Sequence, residues 1–162
     1  MKRNYVGWYR VQADLEKKAV EQQFQAREIW WCALGANLGD EEDGKNDLFE
    51  RPVLILRKYS KRLFLGLPMT SSAKRSKFYF PTLIDGVERS VMLSQGRTLS
   101  GYRLLRRIYK LNDNKFAEIK DSYVALTTEK TIPADKSTGS QVPNGSLYPD
   151  NTKHEQKSQG GK

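Results

Sequence analysis

A mainly β fold with flanking helices is predicted: a small, partly closed antiparallel barrel between an N-terminal helix and a C-terminal helix. Three observations predict it. Short apolar runs at 27–35, 51–59 and 61–70 carry the β-branched and aromatic residues that fill strands. An Asp85-Gly86 step separates two further runs, 77–84 and 87–94, and marks a hairpin turn that needs positive φ. At either end, apolar residues recur instead at helical spacing.

Residues 5–24 read as an amphipathic helix, with Tyr5, Trp8, Leu15 and Ala19 near one face. "REIWWCALG" (27–35) switches to aromatic and aliphatic residues and reads as a buried strand. "ANLGDEEDGKNDLFE" then holds six acids, two glycines and two asparagines, a long loop of the kind that usually serves function. "RPVLILRKY" and "KRLFLGLPMT" are two strands joined by a short turn near Ser60. Pro52 suits a first strand residue, where a missing N–H costs least. With the Asp85-Gly86 hairpin this makes about five strands. "TLSGYRLLRRIYKL" (98–111) is ambiguous between a helical turn at 100–105 and a strand at 106–111. In the closing helix Asn112 is a suitable N-cap, and Leu111 with Phe116 suits a hydrophobic staple across it. Phe116, Ile119, Tyr123 and Leu126 form its core stripe. From Glu129 on, Pro, Gly, Ser, Gln and Lys dominate, the composition of a disordered tail. The expected division is an N-terminal helix at 1–25, a barrel domain at 26–128 and a polar tail at 129–162.

Charge is segregated. Of a net +9, the tail contributes only +1. Eight basic residues and no acid lie between Arg51 and Ile84, and six more between Arg89 and Asn112. A basic surface of this kind points to a polyanion such as RNA. No run of 18 apolar residues is present, so no membrane partner is expected, and the N-terminus lacks the apolar core of a secretory signal. The single cysteine, Cys32, sits within "IWWCAL" and reads as a buried, inert thiol. These features fit the cytoplasm.

The residue inventory narrows the chemistry. The only imidazole, His154, belongs to the tail, which disfavours Ser–His and Cys–His catalysis. No His/Cys metal set, EF-hand spacing or Gly-rich phosphate loop appears, so neither a metal nor a cofactor is expected. Arg, Lys, Ser, Thr and carboxylates remain. That set suffices for RNA cleavage, because RNA brings its own nucleophile, the 2′-OH. Arginine neutralises charge on phosphoryl oxygens, a threonine hydroxyl orients them, and a carboxylate takes the proton.

Four motifs, "LGDEEDG…ERPVLIL", "GLPMTSS", "SVMLSQGRTL" and "LNDNKFAEIKDSYVAL", occur in order across about residues 27–127. Together they resemble the PemK/MazF family of toxins from type II toxin–antitoxin systems. The resemblance implies a CcdB-like, SH3-like barrel that forms homodimers. It implies a metal-independent endoribonuclease that cuts single-stranded RNA and is restrained by a cognate antitoxin protein. On the family's motifs Arg51 falls on the catalytic arginine of the Arg-Pro step, Thr70 on the strand-end threonine, and Glu41 on the acidic loop position. Gln95 and Arg97 fall on the Gln-x-Arg step near the RNA-binding surface. Lys74, Arg75 and Lys77 extend the basic surface, and Tyr79 is a candidate stacking platform for a base. Two departures stand out. Ser94 replaces the carboxylate that some members place before the glutamine, and "KNDLFE" lengthens the loop before Arg51. The base then falls to Glu41, to Glu50, or to Arg51 acting with Thr70. The alternative reading is a non-catalytic barrel that binds nucleic acid or protein, as gyrase poisons or a decayed toxin would.

Overall fold

The computed structural model describes residues 3–72 and 74–128. The tail at 129–162, with His154, lies outside the described residues.

Helix α1 (Tyr5–Lys18) is capped by Asn4, whose Oδ1 accepts the Gly7 N–H at 2.8 Å. It ends at Lys18, short of the expected residue 24. Ala19 adopts a left-handed conformation (φ 39°) and returns its N–H to Leu15 O. The chain must leave the helix there because Phe24 is needed in the core. Phe24 is fully buried, meets Phe64 edge-on at 5.3 Å, and presses so close to Gly101 that a Cβ there would stand 2.9 Å from the ring.

Seven strands follow among the described residues, where about five were expected: β1 (Glu28–Ala33), β2 (Glu50–Lys58), β3 (Leu63–Thr70), β4 (Tyr79–Ile84), β5 (Val87–Met92), β6 (Arg97–Ser100) and β7 (Leu104–Lys110). The additional two come from the ambiguous stretch. Its expected helical turn contracts to a single 3-10 turn, Gly101–Arg103, between β6 and β7. The β4–β5 hairpin turns at Asp85 and Gly86, with φ of 49° and 74°.

Every strand pair is antiparallel, in the order β4-β5-β3-β2-β1-β7. Strand β3 makes the bend. Leu63–Gly66 pair with β6, whereas Met69 and Thr70 pair with β5. One strand thereby serves two partners along one edge, and the sheet curls into a half-barrel. Helix α2 (Asp113–Thr128) closes it. Asn112 Oδ1 accepts the Lys115 N–H at 2.8 Å, and Leu111 and Phe116 join one apolar cluster, the staple arrangement. Ile119 is fully buried, with Tyr123 and Leu126 packed beside it.

Strand β2 is buried on both faces. Leu54 and Leu56 join the cluster under α2, while Val53 and Ile55 join the cluster of Phe24, Trp30 and Phe64. This double burial makes β2 the rigid centre of the sheet, and the side chain at its entrance is held by that rigidity. No helix among the described residues is long and apolar enough to cross a membrane.

Candidate active site

Arg51 stands at the start of β2, opposite Cys32 of β1. It is only 6% exposed, not a surface charge at a strand end. A buried guanidinium needs partners, and each of its nitrogens has one. Nε donates to Asp43 O at 2.8 Å, Nη1 donates to Met69 O at 3.2 Å, and Nη2 pairs with the Glu42 carboxylate. Burial pushes the Arg51 pKa below its ordinary value, while the charges of Glu42 and Asp43 pull it back up.

The Met69 contact places Arg51 beside Thr70, the next residue of β3. Thr70 is half-buried, and its Oγ1 accepts the Ser72 N–H at 3.3 Å, which leaves the hydroxyl proton free to donate elsewhere. The segment after Thr70 carries the other basic candidates. Lys74 lies 5.0 Å over the Tyr79 ring, Lys77 lies 5.4 Å over Phe78, and Arg75 projects into solvent at 3.9 Å from Glu88.

The acidic loop supplies two of the Arg51 partners, Asp43 O and Glu42. Gly35 (φ 96°) and Gly39 (φ 52°) adopt left-handed backbone that favours glycine. Gly44 donates to Gly35 O at 2.8 Å and packs so tightly that a Cβ would fall 1.6 Å from Phe49 O. Gln95 and Arg97 grip the loop rather than face outward. Gln95 Nε2 donates to Asp40 O at 3.0 Å and its Oε1 accepts the Glu42 N–H at 3.1 Å. Arg97 Nη2 donates to Glu42 O at 3.2 Å, while its buried Nε has no hydrogen-bond partner.

The structure thus gathers Arg51, Gln95 and Arg97 on one loop, with Thr70 next in sequence to Met69, whose carbonyl Arg51 holds. Glu41 lies on that loop with an exposed carboxylate that meets no partner among the described residues. The acid that reaches Arg51 is its neighbour Glu42, which sequence reasoning did not separate from the surrounding acids. Glu50 is committed elsewhere. It is 5% exposed, accepts two hydrogen bonds from Arg106 at 2.8 and 3.0 Å and one from Asn46 at 3.1 Å. The Arg106 hydrogen bonds hold its pKa below the usual carboxylate value, so it is a poor proton acceptor.

An open cleft of about 650 Å³ adjoins Arg51, lined by Arg3, Asn4, Lys45, Asn46 and Phe49 among others. Asp43 lines it too and holds Arg3, so beside the buried guanidinium the cleft presents Lys45, the Phe49 ring and an Arg3–Asp43 ion pair. Among the described residues no group of three or more His, Cys, Asp or Glu is arranged to hold a metal ion.

The fold is shared with solved structures. MazF from Deinococcus radiodurans superposes with a TM-score of 0.51 at 21% identity, over 65% of this chain and 97% of that one. A MazE–MazF structure from the same organism gives 0.52 at 19%, over 66% and 97%. An endoribonuclease in complex with its cognate antitoxin, from a mycobacterial species, gives 0.50 at 11%, over 68% and 100%. Among curated proteins, no sequence relative matches the chain. The PemK-like, MazF-like toxin family of type II toxin–antitoxin systems matches residues 25–126, from the approach to β1 almost to the end of α2, and the chain belongs to that family.

Proposed function

We propose that the protein is a toxin that cleaves single-stranded RNA without a metal ion, by attack of a 2′-OH on the adjacent phosphate. The observation that carries this reading is the buried Arg51 beside Thr70. A guanidinium in a poorly hydrated site stabilises developing phosphoryl charge far better than one in water. Arg51 forks onto the phosphate oxygens once the loop moves aside, the Thr70 hydroxyl orients the phosphate, and Glu41, whose carboxylate is uncommitted, takes the 2′-OH proton. The bond formed is 2′-O–P and the bond broken is P–O5′; the departing 5′ oxygen takes a proton from solvent water, and the products are a 2′,3′-cyclic phosphate and a 5′-OH. Lys74, Arg75, Lys77 and Tyr79 extend the surface on which flanking nucleotides lie, and Gln95 and Arg97 position the loop from which the base acts. The same reading takes a cognate antitoxin protein as inhibitor, a homodimer as the working unit and the cytoplasm as the place of action.

The test is cleavage of a mixed-sequence single-stranded RNA in excess chelator. Wild type is expected to cut and Arg51→Ala to lose roughly 10²–10³ in rate. Mass spectrometry of the ends should find 2′,3′-cyclic phosphates. Equal activity of the two proteins, or 5′-phosphate ends, would overturn the assignment. RNA retarded in a gel but left intact would favour a non-catalytic binding barrel.

A further inference from the structure

The matched family region begins at residue 25, and α1 precedes it. Yet the N-terminal end of α1 touches the loop that covers Arg51 at several points. Arg3 Nε pairs with Asp43 Oδ2 at 2.7 Å, and its Nη2 donates to Gly39 O at 2.5 Å. The Tyr5 hydroxyl donates to Asn37 O at 3.1 Å. Trp8 meets Phe49 at 5.7 Å and lies so close over Gly35 that a Cβ would stand 2.5 Å from the indole. Asp43 is the link: its side chain is held by Arg3 and its carbonyl by Arg51.

We propose that α1 with Arg3 is a latch that holds the acidic loop closed over Arg51, so that the chain carries its own restraint on RNA entry. This rests on the RNA-cleaving reading of the Arg51 site. Three observations support a latch over a structural prop. The helix has no buried residue, Val6 and Tyr9 stand 67% and 73% exposed, and Trp8, its inward aromatic, packs on Phe49 and Gly35 at the two ends of the acidic loop and joins neither core cluster. Its polar contacts converge on the loop segment 37–43. In the held conformation Arg51 has no donor nitrogen without a partner, and the Glu42 carboxylate sits where a phosphate would bind. RNA must therefore displace Glu42, and its apparent affinity is lowered by the fraction of molecules whose loop is open.

The experiment uses the full chain carrying Tyr5→Phe, which removes one latch bond without changing charge, and Arg3→Glu, which sets a carboxylate against Asp43. Two readouts are taken: amide hydrogen exchange over residues 37–44, and binding of a fully 2′-O-methylated single-stranded RNA that cannot be cut. Tyr5→Phe is expected to raise exchange in that loop and tighten RNA binding by roughly twofold to tenfold, as loss of one hydrogen bond allows. Arg3→Glu should raise exchange further. Unchanged exchange in both variants overturns the latch. Faster exchange with unchanged or weaker RNA binding by Tyr5→Phe also overturns it, because the loop would then be shaping the site rather than closing it. The exchange readout does not depend on catalysis, so an inactive wild type would sink the RNA-cleaving reading while the latch was still decided.

Discussion

Glu50→Gln separates the architecture of the site from its chemistry. The substitution keeps shape and removes charge. Glu50 also forms a backbone bridge with Lys45, two N–H···O bonds of 2.9 Å that close the base of the acidic loop, and these should survive. What is lost is the paired contact with Arg106. A glutamine retains one acceptor for that guanidinium, but its amide NH2 faces the second N–H. Hydrogen bonds to charged groups contribute ~1.5–3 kcal/mol each way of counting. Arg106 is 53% exposed and can turn to water, so the cost falls to the low side, about 1–2 kcal/mol. For a chain of 162 residues this is a Tm decrease of roughly 2–8 °C. The pH dependence has a definite sign. The folded Glu50 pKa lies below its unfolded value, so its stabilisation is present above the ordinary carboxylate pKa and is lost as pH falls through the folded value. Thermal melts by circular dichroism between pH 7 and pH 3 should show the gap between wild type and variant closing in acid. A gap that stays constant across that range, or none at pH 7, would refute the ion-pair account. RNA cleavage by the variant at pH 7 should remain within a few-fold of wild type; loss comparable to Arg51→Ala would make Glu50 the base.

Two further outcomes follow from burial. Phe24→Ala empties a fully buried site between Phe64 and Gly101, and should cost ~3–5 kcal/mol, a Tm fall on the order of 10 °C in calorimetry; a fall of a degree or two would mean that the 19–25 segment is not anchored there. Burial pushes the Cys32 thiol up to about 12, against the opposing pull of Arg103 and Arg97, so the reactive thiolate is scarce at pH 8. Iodoacetamide should label Cys32 in denaturant and leave the folded protein unmodified over hours; rapid labelling of the native state would contradict the packing of β1.

What the sequence disclosed was local. Asp85-Gly86 encodes its hairpin because a type I′ turn needs two positive φ angles, and Asn112 with Leu111 and Phe116 encodes a helix start within five residues of chain. Strands β6 and β7 were ambiguous for the opposite reason: β6 owes its identity to pairing with Leu63–Gly66 and β7 to pairing with Glu28–Cys32, partners far away in sequence. The sequence does not mark the end of α1, because helical periodicity runs on past Lys18 while Phe24 is claimed by a tertiary contact. The Arg-Pro step marks Arg51 in the sequence as the candidate. Glu42 is not marked, because Asp40, Glu41, Glu42 and Asp43 are equivalent as letters. Which one faces the guanidinium depends on the path that Gly35, Gly39 and Gly44 impose on the loop.

On the proposed RNA-cleaving reading, that path lets a buried cation meet an anionic substrate. Leaving a buried guanidinium unpaired costs ~3–5 kcal/mol, so Arg51 cannot wait empty for RNA. The fold gives it one fixed carbonyl acceptor, Met69 O on β3, and two acceptors on the acidic loop, Asp43 O and the Glu42 carboxylate. The two partners of that ion pair are unequally placed: the Arg51 side chain is 7% exposed and the Glu42 side chain 29%. Glu42 can therefore withdraw into water at small cost while Arg51 stays fixed by Met69 O and the rigid strand β2. Phosphate binding then becomes an exchange of one anion for another at a stationary cation, with no stage at which the buried charge stands alone. On the RNA-cleaving reading proposed above, the acid that pairs with Arg51 in the resting protein is thus the one that a phosphate has to displace, and folding stability and restraint of activity would draw on the same contact.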